Sequence, residues 1–203
     1  LKEHLRYGPV KLAALAVSLE EGLPIRELCE RLHSFPGVPG RLERIDGSQE
    51  CAVYVDYAHT PDAMRRVLSS AAECHNGRII SVFGCGGDRD RGKRRVMTEV
   101  AIQHSDIAIL TSDNPRSEDP EAILNEIEKG VAPGSHWVRE ADRERAIATA
   151  LGQAEADDLV LIAGKGHETY QIIGPQVLPF DDREVARRHV KAGRTVPSKG
   201  PAS

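Results

Sequence analysis

Apolar positions along this chain follow two different periods. Between residues 9 and 32 they recur at helical spacing, with Val10, Ala13, Ala14 and Val17 on one face and Leu28 and Leu32 on the next. This predicts two short helices, 9–20 and 24–32, separated by Gly22 and Pro24. The stretch SFPGVPG (34–40) gathers proline and glycine as a linker does, and a domain boundary is expected near residue 38. Beyond it the apolar residues come in short β-like runs. RLERI (41–45) and CAVYVDY (51–57) flank Asp46-Gly47 as a loose hairpin, and buried strands are predicted over 78–83, 106–111 and 158–164. Helices are predicted from Thr60-Pro61 to about 74, over 94–103, from Asp119-Pro120 onward and over 141–152. A hairpin around Gly174-Pro175 (170–178) and a helix capped by Asp181 to about 191 complete the pattern, before a polar tail from Gly193. Strands alternating with helices imply an α/β fold with a mostly parallel sheet flanked by helices.

Composition removes several function classes. The 203 residues carry 27 Lys and Arg against 31 Asp and Glu, a net charge of −4, which gives no electrostatic case for nucleic acid. No stretch approaches the ~18–20 apolar residues of a membrane span, and LKEHLRYGPV lacks the hydrophobic region of a signal peptide. A cytoplasmic, monomeric protein without membrane contact is expected. Cys29, Cys51, Cys74 and Cys85 are too widely spaced for a CxxC pair and are expected to be reduced thiols. The histidines show no metal-ligand spacing, and Trp137 and the tyrosines are expected to serve packing.

Chemistry concentrates at the strand exits, where open α/β sheets bind ligands. Asp113-Asn114-Pro115-Arg116 follows the strand 106–111, and its arginine offers the planar two-pronged donor that suits a carboxylate. GCGGDRDRGKRR (84–95) nearly matches two phosphate-binding patterns and fails both. Arg94 stands where a P-loop needs Ser or Thr, and Arg89 where the dinucleotide fingerprint needs its third glycine, which counts against a hydride-transferring enzyme. The loop is therefore either a Gly-rich turn presenting Arg89 to the crevice or a solvated basic loop. In Asp56-Tyr57-Ala58-His59-Thr60-Pro61 a capped turn accounts for Thr60 and Pro61, leaving Asp56 and His59 free to meet a ribose and a base. Gly164-Lys165-Gly166-His167-Glu168 leaves the fourth strand at the same edge, where Glu168 could bind an ammonium group.

VDYAHTPDAM, GCGGDRDRGK, TSDNPRSEDP and AGKGHETYQ, in this order, resemble the C-terminal domain of the Mur ligases, and most closely the MurE family. The resemblance spans roughly residues 38–191 and implies a Rossmann-like domain, preceded over 1–37 by the last helices of the family's central, ATP-binding domain and followed by a tail over 192–203. It implies peptidoglycan synthesis, with ATP-dependent addition of an amino acid to UDP-MurNAc-L-Ala-D-Glu and ATP and Mg2+ bound mainly by the central domain. DNPR resembles the signature of members that add meso-diaminopimelate. By position, Asn114 and Arg116 would hold its distal carboxylate, Asp113 and Pro115 of the same run would also belong to the substrate-binding site, Arg89 would contact the amino acid, and Gly164 and Glu168 its distal amino-acid centre. Arg41, Asp56 and His59 would meet the nucleotide, and the C-terminal domain itself would supply no catalytic residue and no metal ligand.

Two departures from the family pattern bear on function. No intact GxxxxGK[ST] occurs in these residues, so they are expected neither to hydrolyse ATP nor to ligate by themselves. The family also carries two asparagines ahead of an Ala-rich helix, whereas this chain has none before Asn76, with Gly8, Val10 or Lys11 in their place. A MurE-like scaffold or interaction module without catalysis is therefore the alternative reading.

Overall fold

A computed structural model describes residues 16–34 and 37–191. Residues 16–20 are helical, and α1 follows over Ile25–Ser34. The expected helix 9–20 and the predicted tail lie partly or wholly outside the described residues, as do Gly8, Val10 and Lys11. Val17, expected on a packing face, is 63% exposed, whereas Leu28 is buried.

The sheet order is β1 (Glu43–Arg44), β2 (Ala52–Asp56), β6 (Leu159–Ala163), β3 (Ile79–Cys85), β4 (Ile107–Ser112) and β5 (Trp137–Arg139). β1 is antiparallel to β2, forming the hairpin expected around Asp46-Gly47, and the other neighbours run parallel. Strand β5 escaped the sequence reading because three residues carry too little periodicity. Trp137 lies on this edge strand and is 37% exposed, which corrects the expectation that it packs inside.

Parallel strands are covered on both faces, and β3 shows why its sequence reads as one apolar run. Ile79, Phe83 and Cys85 join one core layer while Ile80 and Val82 join the other. The first layer is closed by α2 (Pro61–Cys74), α3 (Gly92–His104) and α4 (Pro120–Glu128), the second by α5 (Arg143–Gln153) and α6 (Asp182–Lys191). On α2, Thr60 caps the amino end by accepting a hydrogen bond from the Ala63 N–H, Pro61 starts the first turn, and Met64, Leu68 and Ala71 bury at i, i+4 and i+7. Cys51 and Cys85 are buried, and neither they nor Cys29 and Cys74 form a disulfide among the described residues. Burial pushes the Cys85 thiol up to about 12, so it acts as a small apolar group.

The chain runs outward through β3, β4 and β5 and then returns to insert β6 between β2 and β3. That reversal opens a crevice at the carboxyl ends of the strands. It also sets the exits of β2, β6, β3 and β4 side by side. Beyond them, β7 (Tyr170–Ile173) and β8 (Gln176–Pro179) form a separate hairpin. It does not extend the main sheet, but meets the segment that follows β4 through a bridge between Ile173 and Arg116.

Candidate functional site

The DNPR run is held more by backbone than by side chain. Arg116 N–H donates to the Ile172 carbonyl (2.9 Å), Gly174 N–H donates to the Arg116 carbonyl (2.7 Å), and Gln171 Nε2 donates to the Asp113 carbonyl (2.7 Å). This ladder imposes φ +54° on Arg116, a region that non-glycine residues seldom occupy. From there its Nη1 donates to the Gly87 carbonyl at 2.8 Å and the Asn114 carbonyl at 3.5 Å. Nε and Nη2 make no hydrogen bond among the described contacts, which leaves a guanidinium edge available. The neighbouring loop touches this run backbone to backbone: a Cβ on Gly87 would lie 1.8 Å from the Pro115 carbonyl oxygen, so no side chain fits there.

Asn114 is buried, and its amide joins the two strand exits. Oδ1 accepts from Lys165 Nζ (3.1 Å) and from the Ile172 N–H (3.0 Å), while Nδ2 donates to Glu168 Oε2 (2.9 Å). Lys165, fully buried, also reaches Glu168 Oε2 at 3.3 Å. Glu168 Oε1 makes no hydrogen bond among the described contacts. Gly164, with φ +116°, permits the approach of Asp113, whose Oδ2 would sit 2.9 Å from a Cβ there. Asp113, Asn114, Arg116, Gly164 and Glu168, named as candidates from sequence, thus meet at one edge. Lys165 was missed, since a lysine between two glycines gives no sign that it will be buried.

A second missed group lies beneath this edge. Arg143 pairs with Asp182 through Nε to Oδ1 (2.8 Å) and Nη2 to Oδ2 (2.7 Å), both side chains wholly buried. Its Nη1 and Nη2 also donate to the carbonyls of Ser112 (3.2 Å) and Ala163 (3.0 Å), the residues just before Asp113 and Gly164. Burial acts to lower the Arg143 pKa, but the Asp182 carboxylate outweighs it and raises the value.

The loop after β3 is zipped to the segment after DNPR. Ser117 donates through its hydroxyl to Asp88 Oδ1 (2.6 Å), and Asp88 N–H donates to Glu118 Oε1 (2.7 Å). Arg94, the residue that spoiled the P-loop pattern, is buried and paired with Glu118 (2.8 Å) and Glu126 (2.7 Å), so it ties helix to loop. Arg89 is exposed, with Nη1 3.4 Å from the Asp88 carbonyl, and does not join the Asn114 network.

Hydrogen bonds from Arg94, then from the Asp88 N–H, lower the Glu118 pKa from 4.5 to about 2. A carboxylate whose folded value is depressed stabilises the fold fully above its unfolded value and loses that contribution as pH falls toward the folded one. Acid titration between about 4.5 and about 2 is therefore expected to loosen this clasp. Glu118→Gln should flatten that part of the stability-versus-pH curve followed by fluorescence; an unchanged curve would refute the assignment.

On the other side of the crevice, Asp56 accepts from the N–H groups of Leu42 (2.7 Å) and Ala58 (2.8 Å), one on each oxygen. Each oxygen keeps acceptor capacity for a hydroxyl. The Arg41 guanidinium lies over the Tyr57 ring (4.4 Å), which also contacts the rings of His59 (4.5 Å) and His167 (5.2 Å). His59 Nδ1 faces the Tyr57 carbonyl at 2.8 Å. Asp56 thus presents a polar acceptor near an aromatic and cationic group. Among the described residues no group of three or more His, Cys, Asp or Glu could hold a metal ion. No described helix is long and apolar enough to cross a membrane.

Comparison with known proteins bears on the family and the fold. The family model described as "Mur ligase, glutamate ligase domain" matches residues 40–166. A UDP-N-acetylmuramoyl-L-alanyl-D-glutamate--2,6-diaminopimelate ligase from Fusobacterium nucleatum is 49% identical over 180 residues, covering 88% of this chain and 37% of the relative. One of the same name from Gloeobacter violaceus is 50% identical over 185 residues, covering 91% and 38%. This chain thus spans a little over a third of their length. A solved structure of a ligase of that name matches with TM-score 0.73 and 42% identity, over 89% of this chain and 37% of the other. A UDP-N-acetylmuramate-alanine ligase from Thermotoga maritima, at TM-score 0.61 and 20% identity over 89% of this chain and 36% of that one, shares the fold.

Proposed function

The chain belongs to the Mur ligase family, and from that membership we propose that it is the amino-acid-binding C-terminal part of a ligase adding meso-diaminopimelate to UDP-MurNAc-L-Ala-D-Glu in peptidoglycan synthesis. The observation that carries the reading is the pairing of open valences at one edge. Arg116 keeps Nε and Nη2 free of described hydrogen bonds, and Glu168 keeps Oε1 free, with Asn114 linking the two residues. A guanidinium edge and a carboxylate oxygen complement the carboxylate and ammonium of a distal amino-acid centre. Lysine has the ammonium but lacks the second carboxylate.

In this reading Arg116 binds the distal carboxylate and Asn114 contributes its second Nδ2 hydrogen. Glu168 Oε1 receives the distal ammonium, and Asp113, Pro115 and Gly164 shape the wall. Arg89 is the exposed residue that comes to the amino acid from the loop side. Arg41, Asp56 and His59 hold the nucleotide: Asp56 accepts from the ribose, and the Arg41–Tyr57–His59 group lies beside the base. ATP supplies the phosphoryl group that activates the D-Glu carboxylate, and Mg2+ belongs to residues outside this part. The chain's own task is to deliver the amine of the bound amino acid to that carboxylate in fixed orientation. A cytoplasmic monomer is proposed, with residues 1–37 belonging to the central domain, 38–191 forming the C-terminal domain and 192–203 a tail. These 203 residues alone are expected to bind without ligating.

Titration of the chain with meso-diaminopimelate and, in parallel, with L-lysine tests this by NMR. Saturable shifts at Arg116, Glu168 and Asn114 with the first ligand alone are expected. Equal response to both ligands would remove the carboxylate assignment, and no response to either would favour the scaffold reading.

A further inference from the structure

We propose that Lys165 is a positioning residue that locks the Asn114 amide in one orientation and thereby sets which end of the distal amino-acid centre each side of the site accepts. This rests on the proposed amino-acid-binding role. An asparagine amide presents an acceptor on one side and two donors on the other, and a half-turn about its last bond exchanges them. Here the acceptor side is doubly occupied, by the Lys165 ammonium (3.1 Å) and the Ile172 N–H (3.0 Å). Two donors converge on Oδ1, and rotating the amide would set NH2 against both. The donor side is thereby turned toward Glu168, whose Oε2 takes one hydrogen at 2.9 Å. One Nδ2 hydrogen remains for a ligand, and it can serve a carboxylate but not an ammonium.

Lys165 performs a second task on Glu168. Its ammonium lies 3.3 Å from Oε2, the same oxygen that Asn114 uses, so the inward oxygen is saturated while Oε1 stays available. A buried cation beside a carboxylate also balances the charge that Glu168 brings to a half-buried place. The Tyr170 ring, 5.7 Å from Nζ, closes the remaining side with a π face that suits a cation. The lysine spends its ammonium on Asn114 and Glu168 and so acts on the ligand through them.

The lock can be read in the free protein, and its consequence in the liganded one. In the full chain, the Asn114 Nδ2 pair is expected to give two well-separated, slowly exchanging NMR signals, with a nuclear Overhauser contact to the Lys165 side chain. In Lys165→Met the pair should shift and exchange faster. Losing one hydrogen bond to a charged group should weaken meso-diaminopimelate binding by about 10-fold to 100-fold, with a smaller loss for L-lysine, so that the preference between them narrows. An unshifted Asn114 pair, or an unchanged preference in a folded Lys165→Met, overturns the inference. If the variant does not fold, the unmutated chain decides: a Lys165 side chain without contact to Asn114 sinks the lock, and an observed contact with a slowly exchanging pair supports it. Failure of the unmutated chain to bind meso-diaminopimelate would count against the functional reading, while the Asn114 signals would still report on the lock.

Discussion

Arg116→Ala is expected to lower the affinity of this chain for meso-diaminopimelate by about 30-fold to several thousand-fold, the range that follows from about 2–5 kcal/mol for truncating one partner of a hydrogen-bonded charge pair. L-lysine binding should change far less, because lysine brings no second carboxylate to lose. The unmutated site should favour diaminopimelate over lysine strongly. A site built to bond a polar group rejects the analogue lacking it by about 10⁴-fold or more, since the protein group would be left desolvated and unpaired. Arg116→Lys should restore little of the affinity. A lysine at φ +54° could place one charge near the ligand, but not the free Nε and Nη2 edge beside the Nη1 that is spent on Gly87. Calorimetric titration of the three proteins with both ligands measures this; undiminished diaminopimelate affinity in a folded Arg116→Ala would exclude the clamp.

The largest loss of stability is expected from Arg143→Met. The substitution leaves the Asp182 carboxylate wholly buried without its partner and strips two carbonyls, Ser112 and Ala163, of their donors. Breaking a buried pair from one side costs about 3–5 kcal/mol. Removing both charges in Arg143→Met with Asp182→Leu should recover much of this, because apolar replacement of a buried pair is often neutral or better, but the two carbonyls would remain unpaired. Urea unfolding of the single and double variants separates these contributions. A single variant within about 1 kcal/mol of the unmutated chain would show that water already serves the site.

The candidate site was partly legible because its chemistry falls into short contiguous runs. DNPR, GKGHE and DYAHTP each follow an apolar run, and a parallel sheet brings such exits to one edge whatever the side chains do afterwards. What each residue does with its hydrogen bonds was not legible. Asn114 read as a free ligand group, yet most of its amide is spent on Lys165, Ile172 and Glu168. Arg94 read only as the residue that breaks a P-loop pattern, whereas it pairs with Glu118 and Glu126 from positions 24 and 32 residues away.

From sequence alone came the α/β class, most helices with their caps, the buried strands and the resemblance to one family, because periodicity, capping and short motifs are local properties. Tertiary structure decided the insertion of β6 between β2 and β3, the edge placement of Trp137, the bridge from Arg116 to the β7–β8 hairpin and the buried positions of Lys165 and Arg143. These depend on which distant segments meet. Burial of a charge in particular is tolerable only where a partner from elsewhere in the chain arrives to meet it, as Asp182 does for Arg143.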